Sequence, residues 1–461
     1  MTDEIHQRLR TLPQVGEMLE HPLLTAADGP PVWAVKEALR EVLDTRRQTL
    51  RAGGVTDTSP DAVAADALGV AEQRACFHLQ RVINATGVVI HTNLGRSPLA
   101  PGALARMREV AGGYSNLEFD LEAGERGGRG RGVADLVTRL TGAEAALVVN
   151  NNAAAVFLAL RVLSEGKEAV VSRGELVEIG GSFRIPDVMR SSGAILREVG
   201  TTNRTHPRDF ESAINDDTGL LLKVHRSNFR VVGFVAEVGR QELVAIGRRH
   251  GLPVVEDLGS GRLLPSDVGD EPLVKDAIGA GVDLACFSGD KLLGGCQAGI
   301  IAGRREWIER LAKDPMMRVL RVDKLTYAAL EGTLRHFLDG EADRVPTQRM
   351  VHASPATLRS AAAALEATLR ERAPALADHC EIEVCEVIAR AGGGALAQVD
   401  LPGHAVRLRP HEHSASQWAE RLRRGRPAVL VRVADDSLWL DPRTLLPGDG
   451  DELADALEEL T

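Results

Sequence analysis

Between about residue 82 and about residue 302, short runs of valine, isoleucine and leucine end in polar or glycine-rich turns and alternate with stretches of helical pattern. That rhythm narrows the fold sharply. Strands apolar on both faces must be covered by helices on both sides, and parallel neighbours need connections long enough to hold a helix. The spacing predicts strands in "VVIHT" (Val88 to Thr92), "AALVVN" (Ala145 to Asn150), "EAVVS" (Glu168 to Ser172), "GLLLKVH" (Gly219 to His225), "PVVED" (Pro253 to Asp257), "DLACFS" (Asp283 to Ser288) and "AGIIAG" (Ala298 to Gly303). Joined by right-handed crossovers, these make an α/β fold around a mainly parallel seven-stranded sheet.

The flanks differ from this block. Residues 1–65 hold the helical pattern "PVWAVKEALREVLDTRRQTLRAG" between turn-rich segments, which predicts a small helical domain. Residues 66–330 form the large α/β domain. Residues 331–461 begin with a long Ala/Leu/Arg helix opened by Ser354-Pro355 and continue as mixed strand and helix, an α+β domain.

No apolar run approaches the ~18 residues of a membrane span, and "MTDEIHQRLR" has no apolar signal core, so a cytoplasmic protein with no membrane partner is expected. The five cysteines have no paired CxxC spacing and read as reduced thiols. His411 and His413 form an HxH pair without a third ligand nearby, so no metal is assigned. A net charge of −10 argues against indiscriminate nucleic-acid binding through the whole surface; an RNA partner would need a local basic face, and no DNA partner is expected.

The chain has seven lysines among its 55 basic residues, and Lys291 stands directly after a buried-looking strand, amid glycines, in "FSGDKLLGGCQAG". A Schiff base needs an amine that can lose its proton, which arginine cannot supply. Alone, Lys291 reads equally well as a surface lysine at a turn. Asp257 closes the strand "PVVED" 34 positions earlier, at a carboxyl end where open α/β sheets collect ligands. An aspartate that keeps a pyridine nitrogen protonated, followed by a lysine that carries the aldehyde carbon, is the pair that pyridoxal phosphate (PLP) chemistry requires. The strand, turn and helix start in "VVNNNAAAV" predict a phosphate cradle of free backbone amides at the helix start, with the side chains of Asn151 and Asn152 assisting. His225, ending another strand, is a candidate to stack on or hydrogen-bond the cofactor, or a satisfied turn histidine.

With these pieces in place, the sequence resembles the bacterial selenocysteine synthases, a fold-type I family of PLP-dependent transferases. The resemblance rests on "RVINATGVVIHTNLGRSPL" (81–99), "SNLEFDLEAGERGGR" (115–129), "EIGGSFRIPDVM" (178–189), "GTTNRT" (200–205), "KVHRSNF" (223–229), "EDLGSG" (256–261) and "FSGDKLLGGCQAG" (287–299), in family order. It implies conversion of L-seryl-tRNA(Sec) to L-selenocysteinyl-tRNA(Sec) through an aminoacrylyl-tRNA intermediate, with selenophosphate as donor. By the same resemblance Lys291 is the Schiff-base lysine with Asp290 as its catalytic neighbour, Asp257 faces the pyridine nitrogen, the turn of Asn151, Asn152 and Ala153 meets the phosphate, and Ser288 belongs to the cofactor site. Arg96, Arg318 and Arg321 are implied to hold the anionic donor. A homo-oligomer built from dimers, a decamer, is implied too. One departure is "AGGGALAQ" (391–398), with alanine where a serine is expected after the glycines.

The family's N-terminal domain recognises the shape of its tRNA. Here Lys36, Arg40, Arg47 and Arg51 fall within about 60° of one another at 100° per residue, beside an apolar face of Val35, Leu39, Val42, Leu43 and Leu50. This basic stripe is the expected tRNA contact, although Glu37, Glu41 and Asp44 adjoin it. The alternative for the whole chain is a PLP lyase or transferase acting on a free small amino acid or amino sugar; an RNA-binding protein without catalysis is a second.

Overall fold

The computed structural model describes residues 3–179, 183–397 and 399–461, so Gly180 to Ser182 and Gln398 of the quoted stretches lie outside it. The chain divides into two units, Met1–Arg81 and Val82–Thr461.

In the first unit the helices Val32–Arg51 and Pro60–Ala75 pack together. Ala34, Val35, Ala38, Leu39, Val42 and Leu43, spaced to fall on one helical face, join Val63, Ala64, Ala67 and Ala71 in one buried cluster. The domain boundary expected at residue 65 therefore falls inside a helix. The second helix has its apolar face in this core, and the unit runs on to Arg81.

The second unit begins with β1 (Val82–Ala85). Its larger sheet contains β2 (Ala145–Val149), β3 (Glu168–Ser172), β4 (Ile195–Val199), β5 (Thr218–Val224), β6 (Val254–Gly259), β7 (Leu284–Ser288) and β8 (Gly299–Gly303). Their spatial order is β2-β8-β7-β6-β5-β3-β4, with β8 antiparallel to both of its neighbours and the other pairings parallel. Two apolar clusters cover the sheet, as strands apolar on both faces demand.

The expected seven-stranded, mainly parallel sheet is present, with one member exchanged. Val88–Thr92 is not a strand of it. Val89 and Ile90 donate their N–H groups to the carbonyls of Arg390 and Ala391 at 3.2 and 2.6 Å, so this apolar run pairs with the C-terminal segment. The seventh strand is β4, an edge strand whose "ILREV" carries two charges and lacks the apolar run of its neighbours.

The smaller sheet holds β1, β9 (Cys380–Ala389), β10 (Leu401–Pro410), β11 (Ala428–Ala434) and β12 (Ser437–Leu440) in the order β1-β11-β12-β10-β9. The helix Pro355–Arg372 covers it, opened as the sequence predicts by Ser354, whose Oγ accepts the N–H of Thr357 at 3.1 Å. Two corrections follow. Val82 to Ala85 belong to the C-terminal sheet rather than to the large domain, and the boundary expected between 330 and 331 cuts the helix Lys324–Leu338. That helix buries Tyr327, Leu330, Leu334 and Phe337 in the core of the larger sheet.

Candidate active site

The carboxyl ends of β2, β5, β6 and β7 lie on one edge of the larger sheet, and the predicted site residues collect there. Asp257 sits within β6 and Ser288 ends β7, both buried. After β7 the chain makes a tight loop: Gly295 donates to the carbonyl of Gly289 at 2.8 Å, and Gly294 to that of Lys291 at 2.9 Å. From below, Leu292 donates to the carbonyl of Ser260 at 2.9 Å. Gly261, at φ +74, passes so near that a Cβ there would lie 2.5 Å from the carbonyl oxygen of Ser288. The glycines of "EDLGSG" and "SGDKLLGG" thus let two backbone turns touch, and Lys291 is fixed between them with 5 % of its surface exposed.

Burial shifts the two central groups in opposite directions. It pulls the Lys291 ammonium below the ordinary lysine value, with Arg96 adding to the effect while Asp257, Asp290 and Glu271 oppose it. Burial pushes the Asp257 carboxyl above its ordinary value, opposed by hydrogen bonds and by the charge of Lys291. Asp257 Oδ1 accepts from Asn152 Nδ2 at 2.8 Å and from the N–H of Gly259 at 3.1 Å.

The turn after β2 differs from expectation in one respect. Asn151 caps the helix Asn152–Ser164, its Oδ1 accepting the N–H of Ala154 at 2.9 Å, and Asn152 is turned to Asp257. Neither side chain is committed to a phosphate. The N–H groups of Asn152 and Ala153, in the first helical turn, have no acceptor within the helix and are the groups left to hold an anion.

Arg96 stands at φ +67 after Gly95 and donates through Nη1 to Asp290 Oδ2 at 2.9 Å. Ser97 Oγ donates to the carbonyls of Asp290 and Lys291 at 2.8 and 3.0 Å, so the "TNLGRS" segment is tied to the lysine loop. Arg318 and Arg321 are exposed. Their segment reaches the cradle through its backbone: Asn150 donates to the carbonyl of Leu320 at 2.9 Å, and Val149 forms a bridge with Arg321. The Arg321 guanidinium is 3.9 Å from Glu118, which Arg129 also engages.

His225 follows β5; its N–H donates to the carbonyl of Asp257 at 2.8 Å, and its Nε2 lies 3.2 Å from Glu271. Beside it runs a cleft of about 670 Å³ whose cations are already matched, Lys223 to Glu175, Arg230 to Asp270 and Arg240 to Glu256. Glu271, the role of Asn152 and the Glu118 contacts do not follow from the sequence pattern. Glu271 lies in an irregular loop with no periodic signal, while the third asparagine in a row is a visible hint for Asn152.

In the first unit Lys36, Arg40 and Arg51 are exposed and Arg47 is half-buried, bonded to Asp44. The adjoining Glu37 and Glu41 both bind Arg74 of the neighbouring helix.

Comparison with known proteins decides the family. Residues 82–446 match the family model SelA, described as L-seryl-tRNA selenium transferase. The chain belongs to this family. Among its relatives, the L-seryl-tRNA(Sec) selenium transferase of Nitratidesulfovibrio vulgaris is 50% identical over 457 residues, covering 96% of this chain and 96% of that protein. The enzymes of the same name from Moorella thermoacetica and Geobacter sulfurreducens are 48% and 50% identical, covering 98% and 97% of this chain and 97% and 98% of theirs. Among solved structures, D-glucosaminate-6-phosphate ammonia-lyase matches 83% of this SelA-family chain and 96% of its own with a TM-score of 0.56 at 21% identity, a likeness of fold. The fold is the fold-type I arrangement that the sequence leads one to expect.

The residues fit pyridoxal phosphate. A buried amine whose charged form burial disfavours, a buried carboxylate and two free helix N–H groups share one sheet edge, and Asn152 Oδ1 and Ser227 Oγ are buried without a partner. Among the described residues no helix is long and apolar enough to cross a membrane.

Proposed function

We propose that the chain converts L-seryl-tRNA(Sec) to L-selenocysteinyl-tRNA(Sec), taking selenium from selenophosphate. The observation that carries this reading is the Lys291–Asp257 pair, buried at the carboxyl ends of neighbouring strands in a chain of the SelA family. Pyridoxal phosphate, when bound, supplies an electron sink conjugated to the substrate's Cα.

The chain's own residues supply the rest. Lys291 is the attachment point, and burial lowers the basicity of its Nζ, the group that takes up and returns the Cα proton. Asp257, oriented by Asn152, holds a proton at the ring nitrogen. The N–H groups of Asn152 and Ala153 hold the phosphate, and Ser288 and His225 complete the cofactor's surroundings. Asp290 acts beside Lys291 by holding Arg96 at the site. Arg96, Arg318 and Arg321 bind the tetrahedral anion of the donor, a task suited to the planar guanidinium fork. Lys36, Arg40, Arg47 and Arg51 contact the tRNA backbone; the pairing of Glu37 and Glu41 with Arg74 lowers the repulsion that phosphates would meet on that helix. The working form is a cytoplasmic homo-oligomer built from dimers, a decamer.

The test is the visible absorbance of the PLP-loaded protein as serine-charged tRNA(Sec) is added, with serine-charged ordinary tRNA and free serine as controls. A change with tRNA(Sec) alone is expected. A change with free serine would replace this reading by a small-molecule lyase, and no change with any of the three would replace it by an inactive binder.

A further inference from the structure

Glu271 lies in the loop between β6 and β7 with 4 % of its side chain exposed. Its Oε2 accepts from Ser260 Oγ at 2.7 Å and faces His225 Nε2 at 3.2 Å, while Oε1 accepts the N–H of Leu396 at 2.6 Å. Burial alone would raise its pKa, but His225, Ser260 and Leu396 outweigh burial and hold the carboxyl below its ordinary value. Glu271 is thus held toward its ionised form, able only to accept, and its Oε2 stands within ion-pair distance of His225 Nε2. The histidine is held at two points, its backbone N–H by the carbonyl of Asp257 and its ring by Glu271.

The third contact reaches across the fold. Leu396 has φ +51 and follows Gly392, Gly393 and Gly394, all in the left-handed region. A non-glycine residue held there is strained, and here the strained conformation delivers its N–H to Glu271. The turn is in turn packed on Ile90: a Cβ on Gly393 would lie 2.6 Å from Ile90 Cγ2.

We propose that Glu271 is a positioning residue for the cofactor site: it fixes the proton of His225 on Nε2 and the place of the ring beside Asp257, leaving Nδ1 and the ring face for the cofactor, and it makes that placement depend on the C-terminal turn at Leu396. This rests on the reading of His225 as a cofactor-binding residue. A carboxamide at position 271 keeps the shape but turns its NH2 group either on the Leu396 N–H, which cannot accept, or on Ser260 Oγ and His225 Nε2 together, where the hydroxyl can rotate to accept and His225 must change tautomer or move.

The experiment is a double-mutant cycle read by PLP binding to the apoprotein, followed by absorbance and by the circular dichroism induced in the bound cofactor. Glu271→Gln should weaken binding about tenfold and alter the induced band, as expected for one charge-assisted hydrogen bond. In a His225→Ala background the same substitution should change binding less than about twofold, because its effect runs through the histidine. Equal weakening with and without His225, or none in either, overturns the proposal. Should Glu271→Gln not fold, Ser260→Ala, which removes one donor from the same carboxylate, enters the cycle under the same criterion. A wild-type protein that takes up no PLP would overturn the functional reading itself and this inference with it, whereas normal wild-type uptake with an additive cycle overturns only the role of Glu271.

Discussion

Gly299 opens β8 directly against the phosphate cradle, and its replacement by alanine tests whether that cradle holds the cofactor. A Cβ there would lie 2.0 Å from the carbonyl oxygen of Asn151, 2.4 Å from its carbon and 2.9 Å from the N of Asn152. Atoms that belong about 3.5 Å apart must separate, so the turn has to retreat by more than about 1 Å. Two consequences follow. Overpacking of this kind costs about 1–3 kcal/mol of stability. Displacing the N–H groups of Asn152 and Ala153, each proposed to make a charge-assisted bond of at least about 1.5 kcal/mol, should weaken PLP binding about 10²-fold. Gly303→Ala is the control. At the other end of the same strand, about 13 Å away at the usual strand rise, its Cβ would lie an equal 2.0 Å from the carbonyl oxygen of Asp283. Both variants should lose similar stability in denaturant titration, but only Gly299→Ala should lose affinity when the apoprotein is titrated with PLP. Binding by Gly299→Ala within twofold of wild type, or equal losses of affinity in both variants, refutes the cradle assignment.

Asp257→Asn should lower turnover by about 10²-fold or more, since a neutral amide cannot hold the ring-nitrogen proton electrostatically. It should nevertheless stabilise the apoprotein at neutral pH: a carboxyl with a raised folded pKa contributes stability that is complete below the ordinary value and lost as pH rises through the raised one, so the advantage of asparagine should vanish toward pH 4 in melting curves. Arg318→Ala and Arg321→Ala should spare PLP uptake and the spectral response to seryl-tRNA(Sec) but raise the selenophosphate concentration needed for half-maximal rate about tenfold, and an unchanged dependence would remove them from the donor site. Replacing Lys36 and Arg40 by glutamine should weaken tRNA binding and flatten its logarithmic salt dependence by roughly one unit for each phosphate no longer neutralised; an unchanged slope would place the tRNA elsewhere.

Much of the site is legible in the sequence because its residues sit where periodic structure ends. Asp257, Ser288 and the Asn151–Ala153 turn are placed by strands whose apolar runs can be read directly, and the glycines around Lys291 mark a loop that must be tight. The departures share a cause as well. Val88 to Thr92 has the composition of a strand, but its partner, Arg390–Ala391, lies some 300 residues away, and only tertiary structure reveals such pairing. β4 escapes a reading by apolar runs because an edge strand can carry Arg197 and Glu198 without burying them. The domain boundaries at 65 and 330 miss helices whose apolar faces continue past the residues where the composition shifts. Glu271 gives no local sign, because what defines it is three donors drawn from residues 225, 260 and 396.

The two central groups also explain why this edge of the sheet should be less stable empty than filled. Burial disfavours the charged forms of both Lys291 and Asp257, raising the acid and lowering the base, so either charge costs more here than in water. For the lysine the sign is that of a depressed base: the folded state binds its proton less tightly than the unfolded chain, and stability falls as pH drops from the ordinary lysine range toward the depressed value. The surrounding backbone has little room to relieve this, because Gly261 lies against the carbonyl of Ser288 and Leu292 is bonded to Ser260. Pyridoxal phosphate carries what both groups lack, a ring nitrogen for the carboxylate and an aldehyde for the amine. Binding to the folded state alone stabilises by about 2.7 kcal/mol at a hundredfold excess over the dissociation constant. Because the same rigid loop that imposes the mismatch also aligns Lys291 with Asp257, stability withheld from the apoprotein becomes alignment already in place when the cofactor arrives.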